Sequence, residues 1–328
     1  MQNSYSDDRL RLAARLYYIE GLGQQEVAKF VKVSQAKVSR LLALARERGI
    51  VRISVADYEP RRPDLEGQLI ERFKLSEAIV LKAIDGLSSS DLRRSVGHFA
   101  APMLSELIRP RDVVAVAGGR TLHELVHHLP EQPNRSLTVV QAMGSVDSQL
   151  NAFDASEVGR VLSQRLGGSF LALNTPAFMP DKQTRNALFN LGQVKDVHTR
   201  LGGANLALVG VGTLENSVFA ERGVLGAQDV TALRQAGAVG EICGRFFDSE
   251  GNEIKSTWCD RVMSIELKQL RSIPLTLGIV SGSDRGPAIL AAVQGGLIKG
   301  LIIDEAGAMA LLTTPALVMR RKKSPRSR

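Results

Sequence analysis

At 328 residues, 44% of them hydrophobic, the chain is long enough to bury more than one core and too apolar to be disordered throughout. It holds no run of about 18 apolar residues that could span a membrane, and MQNSYSDDRLRL lacks the apolar stretch of a signal peptide, so a cytoplasmic protein without a membrane partner is expected. The net charge of +8 sits at the ends: residues 1–62 hold 12 Lys/Arg against 7 Asp/Glu and residues 319–328 hold 6 against none, leaving 24 against 27 between them, which points to a polyanion partner for the N-terminal segment.

The segment DDRLRLAARLYYIEGLG places Leu10, Ala13, Ala14, Leu16, Tyr17 and Ile19 on one helical stripe and stops at Gly21 and Gly23. A short second helix follows in QQEVAKFVKV, with Val27, Ala28, Phe30 and Val31 inward. Ser34 then caps a third, SQAKVSRLLALARERG, whose Val38, Leu41, Leu42 and Ala45 face inward. Gln35, Lys37, Ser39 and Arg40 point outward near its start. The alternation in IVRISVAD predicts a β-wing, so the unit reads as a winged helix-turn-helix. A helix of that width fits the major groove of double-stranded operator DNA, with its first exposed turn at the base edges.

Pro60 and Pro63, among charges in DYEPRRPD, break both periodicities and mark a boundary. The expected organisation is a DNA-binding domain at 1–56, a linker at 57–63, a larger globular domain at 64–318, and a basic disordered tail at 319–328. LEGQLIERFKL predicts an amphipathic helix. Beyond it one arrangement recurs: an apolar run, a glycine or carboxylate, then a helix-compatible segment. The runs are 113–119, 137–144, 206–212, 275–282 and 300–305, with 169–176 as a further strand. Their unbroken hydrophobicity predicts strands covered on both faces, hence a Rossmann-like doubly wound parallel sheet in an α/β domain. Ligands of such sheets sit beyond the carboxyl ends of the strands.

Two strand-end loops carry anion-binding chemistry. In AVAGGRTLHEL, Gly118 and Gly119 let the backbone approach a ligand, Thr121 offers a hydroxyl and Arg120 a cation, and the helix starting there aims its free N–H groups at an anion. IVSGSDRGPAIL repeats the plan with Gly282, Ser283, Arg285 and Pro287. A phosphorylated small molecule suits both loops.

The same region contains H-E-x-x-H at His123, Glu124 and His127, with His128 adjacent, a spacing that places two imidazoles on one helical face for zinc. A metalloprotease also needs a third ligand from a later helix. The following RSLTVVQAMG reads as a buried strand instead, so no metal and no cofactor is expected. Cys243 and Cys259 have neither C-x-x-C spacing nor the number for a disulfide framework.

Taken together, these pieces resemble the SorC-type sugar-binding transcriptional regulators of bacteria from about residue 8 to 315. The resemblance is carried by YYIEGLGQQEVA, VSQAKVSRLL, RGIV, GRTL, VGVG, GAVGEICGRFFDSEG, SIELKQLRSIP and GPAILAAVQGGLIKGLIIDE. It implies a winged helix-turn-helix joined to a domain like those of glucosamine-phosphate deaminase and ribose-phosphate isomerase. That domain binds a sugar or sugar-phosphate inducer in a homo-oligomer, a dimer or commonly a tetramer. By position, the inducer pocket would involve Gly118, Gly119, Arg120 and Thr121, Glu241 with Cys243, Arg285, and Asp304 with Glu305. Relatives often carry an aromatic residue at 118, usually Asp at 241 and usually Lys at 285. The longer carboxylate and the guanidinium fork change reach, and the missing ring is expected to open space. Arg245 reads equally as a ligand contact or as a structural clamp near Asp248.

The fold named by the resemblance also supports isomerases and deaminases, so an enzyme is the alternative. Against it, no histidine follows His198, and Arg285 cannot lose its proton to act as base or amine nucleophile.

Overall fold

The apolar stripe at the N-terminus builds three helices: α1 (Asp7–Tyr18), α2 (Gln24–Phe30) and α3 (Gln35–Glu47). Leu10, Ala13 and Leu16 of α1, Val27 of α2, and Val38, Leu41, Leu42 and Ala45 of α3 close one core. The Ser34 hydroxyl accepts from the Lys37 amide at 3.3 Å, capping α3, and Gly21 and Gly49 end α1 and α3 at φ +70°. In this computed structural model, which describes residues 5–84, 86–148 and 151–315, the chain divides into two compact units between Glu59 and Pro60. The wing expected in IVRISVAD is not formed: residues 52–60 carry no strand, and Ile53 and Val55 stand 58% and 82% exposed. A lone strand has no ladder to join, and the proline-bearing DYEPRRPD cannot supply one.

The second unit opens with α4 (Pro63–Phe73), β1 (Glu77–Leu81), α5 (Ser89–Leu107), β2 (Val113–Val116) and α6 (Arg120–His127). It continues through β3 (Leu137–Gln141), α7 (Ala155–Leu166), β4 (Gly168–Leu171), α8 (Lys182–Phe189), α9 (Gly192–Gly202) and β5 (Leu206–Val209). Then come α10 (Val218–Glu221), α11 (Ala227–Gln235), β6 (Gly240–Ile242) and β7 (Arg245–Phe247). The last elements are α12 (Leu267–Ser272), β8 (Leu275–Ile279), α13 (Gly286–Gln294), β9 (Gly300–Asp304) and α14 (Glu305–Thr313). The basic tail expected at 319–328 lies outside the described residues.

Seven strands form one parallel sheet in the order β1-β9-β8-β5-β2-β3-β4. Alternate residues of each strand feed two cores. Ile79, Val114, Val116, Val139, Leu208 and Ile279 pack with α5, α6 and α7 on one face. Val80, Ala115, Val140, Val209 and Ile303 pack with α4, α9, α13 and α14 on the other. Apolar residues at both parities are why the strands read as unbroken hydrophobic runs. From β2 the chain winds to β3 and β4 on one side, then returns to place β5, β8 and β9 on the other. The winding reverses between β2 and β5, which opens a crevice beyond their carboxyl ends.

β1 and the β6–β7 hairpin were not among the expected strands. The hairpin turn is Cys243-Gly244, with φ +54° and +76°, as a two-residue type I′ turn requires. Trp258 holds it down: its Nε1 donates to the Gly244 carbonyl at 2.7 Å. Among the described residues no helix is long and apolar enough to cross a membrane.

Candidate functional site

A cleft of about 170 Å³ lies at the reversal of the sheet. Its floor is Ala117–Thr121 after β2, Met143 after β3 and Gly210–Gly212 after β5; Glu241 and Cys243 of the hairpin and Arg285 before α13 complete it. At about 30 Å³ per liquid water, the space suits a small polar molecule rather than the occupants of pockets of about 300–1,000 Å³.

Gly119 caps α6 with φ +146° and ψ +149°, a conformation essentially confined to glycine. No side chain caps α6, whose Arg120, Thr121 and Leu122 line the cleft, so its first N–H groups are free to meet an anion there. Thr121 is 7% exposed, and its Oγ1 lies 3.3 Å from Ser281 Oγ, tying the β2 loop to the β8 loop. Arg285 Nη1 donates to the Ser281 carbonyl at 3.3 Å, while its Nε is buried without a hydrogen-bond partner. A buried N–H left unpaired costs about 1–3 kcal/mol, which favours an acceptor arriving from outside.

Glu241 is 8% exposed and accepts a hydrogen bond from the Gly244 amide across the turn. Burial pushes its carboxyl up to about 7, against the opposing Gly244 hydrogen bond and the Arg285 charge. Burial and the neighbouring Glu241 push the Cys243 thiol up as well, so it stays protonated and unreactive near neutrality. Arg120 reaches across the cleft to an ion pair with Glu221.

Asp304 and Glu305, expected at the pocket, do not line it. Asp304 is fully buried; its Oδ1 accepts from the Gly307 amide at 3.0 Å and its Oδ2 from Gly282 at 2.5 Å, so it caps α14 and clamps the loop that carries Arg285. Glu305 pairs with Arg62 and accepts from the Ala83 amide at 3.1 Å. Arg245 also stands outside, ion-paired to Glu253 at 2.6 Å and donating to the Ile265 carbonyl at 2.8 Å. Nor does Gly118 open space: a Cβ there would lie 2.6 Å from the Phe153 carbonyl oxygen, because the 153–155 backbone fills the room.

The H-E-x-x-H residues follow the Gly118–Thr121 loop on α6. His127 Nδ1 donates to the His123 carbonyl at 2.9 Å and His128 Nδ1 to that of Glu124 at 2.7 Å. Among the described residues no three His, Cys, Asp or Glu side chains converge to hold a metal ion.

The family model for a sugar-binding domain matches residues 61–313, the stretch that contains the whole cleft. The chain belongs to the family of SorC-type sugar-binding transcriptional regulators. It is 30% identical over 313 residues to the uncharacterized transcriptional regulator YjhU of Escherichia coli K12, covering 94% of this chain and 95% of that one. To the sorbitol operon regulator of Klebsiella pneumoniae it is 28% identical over 318 residues, covering 95% and 100%. The crystal structure of full-length SorC from Klebsiella pneumoniae superimposes with a TM-score of 0.74 at 28% identity, over 94% of this chain and 100% of that one. These relatives are regulators, and this SorC-type chain is a transcriptional regulator and not an enzyme.

Several cleft residues escaped the sequence reading. Gly210 and Gly212 repeat the strand–glycine signal of β2, and the hairpin could have been found from Cys-Gly between apolar residues. Arg222, paired with Asp147 at 3.1 Å, Asn216 and Phe153 come from irregular segments without such a signal. Arg93 comes from α5, a helix that precedes β2 and carries no strand-end mark.

Proposed function

We propose that this regulator binds operator DNA through α3 as a homodimer or homotetramer in the cytoplasm, and that a sugar or sugar phosphate in the β2–β5 cleft controls that binding. The cleft carries the reading: the uncapped N-terminus of α6, the Arg285 Nε that lacks a hydrogen-bond partner and the Glu241 carboxyl meet at one small polar space. Gly118, Gly119, Arg120, Thr121, Glu241, Cys243 and Arg285 are the effector-contacting residues of this proposal. Asp304 supports them by holding the Gly282 loop.

On the DNA side, Gln35, Lys37, Ser39 and Arg40 are all exposed along the first turns of α3. A guanidinium or ammonium there can read guanine or grip phosphate, and Gln35 can read adenine. The operon named for the Klebsiella relative, 28% identical to this chain, does not by itself name the effector of this one.

The test is a mobility-shift titration with DNA from upstream of the operon that encodes the protein. It is run with and without a panel of sugars, polyols and their phosphates. A specific complex whose affinity changes with one member of the panel is expected. An unchanged complex across a panel whose members do bind the protein would remove effector control.

A further inference from the structure

Arg93 enters the cleft from the first turns of α5, half-buried among the lining residues. Among the described residues no carboxylate or carbonyl accepts a hydrogen bond from it. Burial, then the charges of Arg120 and Arg285, hold its guanidinium below the usual arginine range, with Glu124 and Glu221 acting the other way. These cations therefore share one crowded region of positive potential.

The other cleft charges are already engaged. Arg120 pairs with Glu221, and Arg222 with Asp147 at 3.1 Å. Asp154 caps α7, accepting from the Ser156 amide at 2.9 Å and from Ser145 Oγ at 3.2 Å. Glu241 is turned to the Gly244 amide. Two guanidinium groups remain: Arg93, and Arg285, whose nearest carboxylate is Asp284 at 4.0 Å.

A neutral polyol entering the cleft leaves both cations without a counter-charge, and a monocarboxylate leaves one. A phosphate monoester carries about −1.5 to −2 at pH 7 and offers three strong acceptor oxygens, enough to engage both forks. We propose that Arg93 is a ligand-contacting, specificity-determining residue that acts with Arg285 to select a phosphate monoester over the free sugar. The inference deepens the regulator reading and rests on the cleft being the effector site.

Thermal-shift titrations of the full-length protein test it, using inorganic phosphate against chloride at equal ionic strength, then ribose, glucose and sorbitol beside their phosphate monoesters. Stabilisation by phosphate, and more by at least one ester than by its parent sugar or by phosphate, is expected. Arg93→Gln should weaken that ester about ten- to hundredfold, as loss of a charged hydrogen-bond partner does. Arg94→Gln, one residue along and paired with Asp91 at the surface, should respond as the wild type does.

Should Arg93→Gln melt early without ligand, Arg93→Lys keeps the charge and should show an intermediate loss, since a point charge replaces the planar fork. An Arg93→Gln protein that binds the ester as tightly as the wild type overturns the proposal. Inorganic phosphate stabilising as strongly as every ester overturns the ester assignment. A response to free sugars alone removes the role of Arg93 and keeps the effector reading; no response to any member of the series removes both.

Discussion

Glu241 and His198 oppose one another in pH. The folded chain holds Glu241 at about 7 against an ordinary 4.5, so between those values it retains a proton the unfolded chain has lost. The stability this represents is complete below 4.5 and declines as pH rises to 7, by about 3 kcal/mol. His198, held at about 4 from an ordinary 6.5 by burial and by Arg185 and Arg245, runs the other way: its contribution is complete above 6.5 and is lost as pH falls towards 4. Glu241→Gln should therefore expose a stability that rises with pH across the interval where the wild type is nearly flat. Melting temperatures of both proteins over that interval check it, and parallel curves would refute the assignment to Glu241. Asp304→Ala removes the α14 cap and the Gly282 clamp together, and should cost about 2–3 kcal/mol in urea denaturation. Arg285→Ala should cost no more than about 1 kcal/mol of stability, since it loses one 3.3 Å hydrogen bond to the Ser281 carbonyl while removing a buried Nε that has no hydrogen-bond partner. It should also weaken effector binding.

Glycines separate packing from propensity at the scale of elements. A Cβ on Gly97 of α5 would fall 2.6 Å from the backbone carbon of Glu124 in α6, so Gly97→Ala should cost about 1–3 kcal/mol by forcing two packed helices apart. Gly67 of α4 is exposed with nothing within 4 Å of its Cβ position. There the same change should stabilise by about 0.5–1 kcal/mol through helix propensity. Opposite signs in chemical denaturation are the expected result. Elements were legible in the sequence where local pattern and tertiary role agree. Strands such as 113–116 and 206–209 announce themselves by apolar runs closed by glycine, and α3 by Ser34 and its stripe. β1 was missed because EAIVL ends in Lys82 and Ala83, without a strand-end glycine, and it gains its place only by pairing with β9. The wing failed for the converse reason: IVRISVAD has the alternation of a strand but no ladder beside it. In the cleft, Gly119, Thr121 and Arg285 were readable from loop chemistry. Asp304 was not distinguishable from a ligand contact, because an N-cap and a sugar-binding carboxylate both follow a buried strand.

At the scale of the whole molecule, the α1–α3 core and the sheet cores are separate, so damage to one function need not pass through the stability of the other. Control of DNA binding by effector then requires unequal effector affinity for the two functional states, typically about 1–3 kcal/mol of coupling, and the coupling must be reciprocal. Arg40→Ala, at an exposed position of α3, should weaken operator binding and reduce the log–log salt slope by about 1, because a cation that neutralises one phosphate is gone. Its effector affinity measured without DNA should equal that of the wild type. Arg285→Ala should bind operator normally without effector and fail to respond when effector is added. The two proteins are to be compared by operator titrations at several salt concentrations and by effector calorimetry on the same preparations. If each substitution diminished both activities equally, the two sites would not be separable, and the assignment of DNA reading to α3 and effector binding to the β2–β5 cleft would have to be abandoned.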